Sequence, residues 1–291
     1  MTRRLSAQLA VVIAHRVGRR STPELVRSGA NEVYAVDDLV IRIAPPGSDG
    51  AAQAAAARML AGHGIALPAL VDSGIVDDQP YTIWERIPAD PGTVVDFRGL
   101  GAEIGRLHRI DPAALDGLAT LPWCDEASWL DLDTHLDAAE AADVVSPADI
   151  EILRASWVQL RSWGSRCRTA GQPVVCHGDV HPQNVIMRHG KPIVIDWDTL
   201  CLGPPQWDHA ALMTWAGRWG GSPDAYPRFA AGYGRNFAGD DLANDLARLR
   251  LLAPTVNLIV KGASDARYAA EAQRRMRYWR GEPAAPAWTP Q

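Results

Sequence analysis

Three side chains between positions 176 and 208 have the types and the spacing to handle a metal-bound polyphosphate: Asp179, Asn184 and Asp196. They lie in the run CHGDVHPQNVIMRHGKPIVIDWDTLCLGPPQWD, where Asn184 follows Asp179 by five positions. Magnesium prefers hard oxygen donors, usually one or two from protein with phosphate and water completing the shell. Asn184 and Asp196 make that short list. A carboxylate at 179 can accept the proton of a hydroxyl and aim its oxygen at a γ-phosphate, and D-x-x-x-x-N is the spacing phosphoryl-transfer loops use.

The elements that must hold these groups are readable around them. Val174 and Val175 run apolar into the His177-Gly178-Asp179 loop; Val185-Ile186-Met187 has strand composition, Arg188 to Lys191 is turn chemistry, and Ile193-Val194-Ile195 is the return strand. A hairpin folded about Gly190 sets Asn184 opposite Asp196, beside Asp179. His177 is expected to orient the loop by hydrogen bonding, and His181 to support Asp179 or touch phosphate or substrate. A rival reading makes Cys176, His177, Asp179 and His181 ligands of a metallophosphoesterase. That chemistry needs further histidine-rich segments, and the other histidines of this chain, such as His63, His108 and His135, lack metal-ligand spacing.

HGDVHPQN followed by IDWD resembles the aminoglycoside phosphotransferase family, the small-molecule branch of the protein-kinase-like fold. The resemblance implies an α+β, two-lobed protein-kinase-like fold, with a small β-rich N-lobe over residues 1–87 and a larger, mostly helical C-lobe over 88–291. It implies ATP or GTP with magnesium, Asp179 as catalytic base, and Asn184 and Asp196 as metal ligands. Asp198 would be their companion, and Asp208, after the Gly203-Pro-Pro-Gln-Trp turn, would anchor the catalytic loop. The protein-kinase Asp-Phe-Gly is Asp196-Trp197-Asp198 here, so no glycine-hinged flip is expected.

Upstream, Glu32 to Val36 and Leu39 to Ile43 read as strands joined by the turn Asp37-Asp38, preceded by the loop Ser28-Gly29-Ala30-Asn31. In the family this loop covers the phosphates, which makes Gly29 and Asn31 nucleotide-binding candidates. No lysine precedes Lys191. Arg42 stands in the third strand, where the family places its phosphate-gripping cation, and Gln53, in an alanine-rich helix from Ala51 to Ala61, stands where the family places the glutamate that pairs with it. An Arg42–Gln53 pairing is therefore expected. Absence of the usual ion pair also admits a second reading, a pseudokinase or nucleotide-binding module without turnover. The strand Tyr81 to Trp84 leads to the hinge, where adenine would bond the backbone near Glu85 and Ile87.

The chain has 291 residues, 47% hydrophobic content and a formal net charge of −5, as befits a globular enzyme rather than a membrane span or a disordered chain. Of its 29 basic residues only Lys191 and Lys261 are lysines, and no basic run is interleaved with aromatics, so no nucleic-acid or membrane partner is expected. Arg274 to Arg277 reads as a solvated helix face. Four cysteines without CxxC spacing suit packing in a reducing cytoplasm, and the short apolar stretch near the start is followed by Arg16, Arg19 and Arg20, unlike a secretion signal.

Eleven acids from Asp111 to Glu151 are uninterrupted by any lysine or arginine. Such a block either draws cationic substrates to a cleft it borders or is a solvated face. The first possibility favours a small cationic acceptor such as an aminoglycoside, amino sugar or amino alcohol. Among the eleven tryptophans, Trp207 is favoured to touch ligand. The Pro/Ala-rich tail from Glu282 is expected to fray.

Overall fold

The computed structural model describes residues 3–29, 31–115 and 121–289. Ala30 of the expected phosphate-covering loop and Asp116 of the acidic block lie outside the described residues. The chain folds as two compact units, one within Met1–Asp96, Ala113–Thr120 and Pro182–Asp198, the other within Phe97–Pro112, Leu121–His181 and Thr199–Gln291.

In the first unit, α1 (Arg3–Arg16) precedes a five-stranded antiparallel sheet of order β1-β2-β3-β5-β4, from β1 (Glu24–Ser28), β2 (Glu32–Val36), β3 (Leu39–Ile43), β4 (Leu70–Val76) and β5 (Gln79–Glu85). The β2–β3 turn uses Asp37 at φ 50°, which aspartate tolerates better than most residues, and Arg19 grips Asp38 through two hydrogen bonds of 2.8 Å. Leu39, Ile41 and Ile43 alternate into the core with Leu9 and Ile13 of α1. That period-2 pattern puts Val40 and Arg42 on the other face. Asp49 caps α2 (Gly50–Gly62), accepting from the Ala52 N–H, and α2 packs on β4 and β5. β4 carries Asp72, Ser73 and Gly74 at its middle, which weakens its strand signal in the sequence; its burial alternates poorly because it is an edge strand.

The same unit contains the hairpin of β7 (Val185–Arg188) and β8 (Lys191–Val194). Its register corrects the expected one by a single residue. Val185 pairs with Val194 and Arg188 with Lys191, so the turn is the two-residue His189-Gly190, both at positive φ (51° and 71°). That is the backbone a two-residue hairpin favours. Asn184 therefore faces Ile195, whose N–H donates to the Asn184 carbonyl at 3.0 Å, and Asp196 lies one residue beyond, at φ 66°. The segment after β5 is tied to this hairpin, since the Gly190 N–H donates to the Asp90 carboxylate (3.0 Å) and the Asp90 N–H to the Met187 carbonyl (2.8 Å).

The second unit is helical: α3 (Phe97–Leu107), α4 (Leu132–Ala141), α5 (Pro147–Leu160), α6 (Trp163–Thr169), α7 (Gln206–Met213), α8 (Trp215–Trp219), α9 (Ala225–Tyr233), α10 (Asp241–Gly262) and α11 (Ala266–Trp279). The short strands β6 (Val174–Cys176) and β9 (Cys201–Gly203) pair antiparallel beside them. Leu246, Leu249, Leu252, Ala253 and Val256 put α10 at the centre of this core, against α4, α5, α6, α7 and α11. Helices α3 and α9 meet through Gly101 and Gly232; a methyl at either would fall onto the partner's backbone carbonyl, at Phe229 and Arg98 respectively.

Two expectations about the C-terminal region are corrected here. Trp288 is 3% exposed, packed edge-on against Trp219 and Tyr278, so the tail is docked rather than frayed. Arg275 is buried too, bonded to Glu271 and stacked over Trp219 and Trp288, while Arg274 and Arg277 are exposed. All four cysteines are free and buried, as packing residues are. Among the described residues no helix is long and apolar enough to cross a membrane.

Candidate active site

In the helical unit, β6 delivers His177, Gly178 and Asp179 into a loop clamped from behind. Asp208, fully buried in the first turn of α7, accepts the N–H groups of His177 and Gly178, both at 2.8 Å, and pairs with His108 Nε2 at 2.9 Å. Burial pushes the Asp208 carboxyl up, but the His108 bond and its charge pull it down further, and it stays below the usual carboxylate range. His108 is held in turn by the Tyr233 hydroxyl at 2.9 Å. Gly178 sits at φ 88° with its Cα against the Thr199 carbonyl, where any side chain would collide. The Asp179 N–H donates to His177 Nδ1 (3.2 Å), so buried His177 accepts at that nitrogen and orders the loop from within.

The Asp179 carboxylate has a different partner on each oxygen. Oδ1 accepts from Arg250 Nη2 of α10 at 3.1 Å, and Oδ2 meets His181 Nε2 at 3.2 Å. Its side chain is 37% exposed, so water also reaches the charge. Desolvation works against ionisation, yet Arg250 and His181 outweigh it and hold this carboxyl well below the ordinary range. The protein thus presents a permanent carboxylate at neutral pH. Nothing in the local sequence signals Arg250; the only trace is an arginine on the apolar stripe of a leucine-rich helix.

The β-rich unit gathers the acidic and amide groups. Asn184, 4% exposed, opens β7, and Asp196 and Asp198 follow β8. Arg42 points from β3 to both aspartates, 3.1 Å from Asp196 Oδ1 and in closer contact with Asp198 Oδ2. Arg27 adds a bond to Asp196 at 3.3 Å, and the Asn31 amide donates to Asp198 at 2.7 Å. The β1–β2 turn is thereby tied to the Asp196–Asp198 segment. Gly29 sits in that turn, its N–H donating to the Asn31 carbonyl. Burial and the nearby Asp196 charge raise the Asp198 carboxyl although Arg42 opposes them. The expected Arg42–Gln53 pairing is replaced: the guanidinium goes to the aspartates, because two carboxylates outbid a neutral amide for a charged donor.

These oxygens fit a hard divalent cation. A carboxamide and one or two carboxylates, with arginines already offsetting part of their charge, form the short protein-donor set that magnesium takes beside phosphate. The cluster of ligand-type atoms in the other unit does not fit one: His108, Cys176 and Asp208 lie close together, but His108 and Asp208 spend their atoms on the hydrogen bonds that clamp the loop.

At the hinge the two expected positions differ. The Glu85 N–H is already bonded to the Ala69 carbonyl at 2.8 Å, whereas among the described residues the Ile87 N–H has no protein acceptor. Trp207 is corrected as a ligand contact. It is 2% exposed, stacked on Trp163 with centroids 5.5 Å apart, and belongs to the core.

The profile of the phosphotransferase enzyme family, APH, matches residues 23–252. No curated protein matches the chain in sequence. Among solved structures, the amicoumacin kinase hAmiN in complex with AMP-PNP, Ca2+ and Ami aligns with a TM-score of 0.69 at 16% identity, over 99% of this chain and 98% of that one. A choline/ethanolamine kinase family protein from Mesorhizobium loti gives 0.68 at 18% identity, over 97% and 94%. Spectinomycin phosphotransferase APH(9)-Ia, in complex with ADP and spectinomycin, gives 0.66 at 15% identity, over 94% of each chain. These likenesses establish the two-lobed, α+β protein-kinase-like fold.

Proposed function

The chain belongs to the phosphotransferase enzyme family, and we propose that it moves the γ-phosphate of ATP to a hydroxyl of a small acceptor. The observation that carries this reading is Asp179: a partly exposed carboxylate, held ionised, on a loop whose backbone is clamped by Asp208. In this role Asp179 accepts a hydrogen bond from the acceptor hydroxyl, turns its oxygen toward phosphorus and takes the proton as the new bond forms. His181 steadies the second carboxylate oxygen.

Asn184 and Asp196 would hold magnesium, with Asp198 beside them. When bound, that ion would neutralise charge on the transferring phosphate. Arg42 would grip the α- and β-phosphates with its planar fork. A cation where the lysine is missing supports turnover over the pseudokinase alternative. Gly29 and Asn31 would cover the phosphates, and the Ile87 N–H, rather than that of Glu85, would receive adenine.

The acceptor proposed is an amine-bearing hydroxyl compound: an aminoglycoside, amino sugar or amino alcohol. Relatives of this fold include an amicoumacin kinase and a spectinomycin phosphotransferase, and the stretch from Asp111 to Glu151 holds eleven acids and no lysine or arginine. ADP release across aminoglycosides, amino sugars, choline and homoserine, with mass spectrometry of the products, tests this. One acceptor should yield a phosphomonoester in step with ADP. ADP formed only as inorganic phosphate accumulates, with every acceptor, would refute acceptor phosphorylation.

A further inference from the structure

Arg250 lies in mid-helix on the buried stripe of α10, among Leu246, Leu249 and Ala253, with a side chain only 8% exposed. Burying a guanidinium is costly unless its donors are well used. Its Nε has no hydrogen-bond partner among the described residues, so self-satisfaction does not account for its position. Its engagements all lead to one place. Nη2 donates to the Gly178 carbonyl and to Asp179 Oδ1, and the guanidinium lies 4.9 Å from the Trp207 ring and 5.3 Å from the Trp129 ring. Trp207 is itself stacked nearly parallel, at 10°, on Trp163. The aromatic faces attract the cation and restrict its swing.

We propose that Arg250 is a positioning residue for the transfer reaction, gripping the Gly178 carbonyl and one oxygen of Asp179, with Trp129 and Trp207 as its walls. Asp179 then offers the acceptor hydroxyl a carboxylate in one orientation. The inference rests on the reading of Asp179 as the acceptor-orienting carboxylate. A second consequence is chemical: with Arg250 beside it, Asp179 is a weak base, so it orients the hydroxyl first and receives the proton late, when the acceptor oxygen has become acidic through bond formation to phosphorus. A merely structural Arg250 would tie the loop to α10 through Gly178 without governing the carboxylate.

Titration of Asp179, followed by the side-chain carboxyl resonance of protein labelled with 13C-aspartate and assigned by loss of the signal in Asp179→Asn, separates the two roles. In the native protein the resonance should stay that of a carboxylate throughout the ordinary aspartate range. In Arg250→Gln its midpoint should rise by at least about one pH unit, a tenfold change in proton affinity, and in Arg250→Lys by less. Turnover, read as ADP release from magnesium-ATP with water as acceptor, should fall at least about tenfold in Arg250→Gln. The same substitution in the Asp179→Asn background should cost nothing further, because Arg250 acts through Asp179.

An unchanged Asp179 midpoint in Arg250→Gln, or an equal loss of turnover in both backgrounds, would overturn the proposal. Should thermal melting show Arg250→Gln unfolded, Arg250→Lys carries the comparison, and an ordinary midpoint in the native protein overturns the proposal alone. Full turnover in Asp179→Asn would instead remove the underlying reading while leaving the Arg250–Asp179 titration result standing.

Discussion

Arg42 is the residue proposed to grip the phosphates of the nucleotide, because the sequence offers no lysine before Lys191. Removing it leaves Asp196 and Asp198 without their shared half-buried cation. Arg42→Ala should weaken ATP binding or turnover at least tenfold, about 1.4 kcal/mol, with partial recovery in Arg42→Lys because a point charge replaces a fork. Calorimetric ATP titration checks it, and full affinity in Arg42→Ala would hand the phosphates to the loop backbone and metal alone. Gln53→Glu should be tolerated, since Gln53 is not what Arg42 touches. Asn184→Ala and Asp196→Ala should each raise the magnesium concentration needed for half-maximal turnover; unchanged requirements in both would place the metal elsewhere. Asp179 on the loop after β6, and Asn184 and Asp196 at the two ends of one hairpin, could be placed from the sequence because each placement is local. Arg250 and Arg27 were not, because they reach their aspartates across 71 and 169 positions of chain, and only the fold makes them neighbours.

At the scale of elements, legibility followed the strength of local rules. The β2–β3 hairpin and the alanine-rich helix were readable because a turn pair and a run of one helix former leave few alternatives. The β7–β8 hairpin is readable to within one residue of register, because a turn centred on Gly190 and the actual His189-Gly190 pair differ by one position. The docking of the tail is not legible from its composition, because Trp288 meets Trp219, Tyr278 and Arg275 only in the fold. Two elements carry predictions. Gly178→Ala should destabilise the protein by about 1–3 kcal/mol, from the left-handed backbone alone, and cost activity because the loop must move off Thr199; chemical denaturation with a matched assay checks it. His209 sits in α7 within rings of Tyr226, Phe229, Tyr233 and Phe237, and burial, helped by the nearby His108, drives its pKa down to about 3 against an opposing pull from Asp208. The unfolded chain protonates this imidazole near its ordinary value of about 6.5, before the folded one does. Stability from His209 is therefore complete above about 6.5 and drains as pH falls toward about 3. His209→Phe should flatten the upper part of that decline, above the carboxylate range, in denaturation midpoints measured against pH; an unaltered slope would contradict it.

The whole molecule carries a net charge of −5, yet its acidic block is less naked than the sequence suggests. Arg168 holds Asp125 and Glu126, Arg161 holds Asp133, Arg154 holds Asp137 and Glu140, and Arg280 holds Asp149. Those arginines lie beyond the block in sequence, which is why the block looked unopposed. On the proposal of a cationic acceptor, its apparent affinity should fall a few-fold between about 0.05 and 0.5 M salt, as the Debye length shrinks roughly threefold. No salt dependence, with a neutral sugar as best acceptor, would reduce the block to a paired, solvated surface. The central claim is transfer of phosphate to an organic hydroxyl under the direction of Asp179. It is tested most directly by following label from γ-32P-ATP into products with the native protein and Asp179→Asn, at matched and saturating magnesium-nucleotide. The native protein should place the label in a phosphomonoester of the acceptor, and the variant should do so about 10²–10⁴ times more slowly while binding ATP with nearly native affinity. Label incorporated by Asp179→Asn at the native rate would contradict the account.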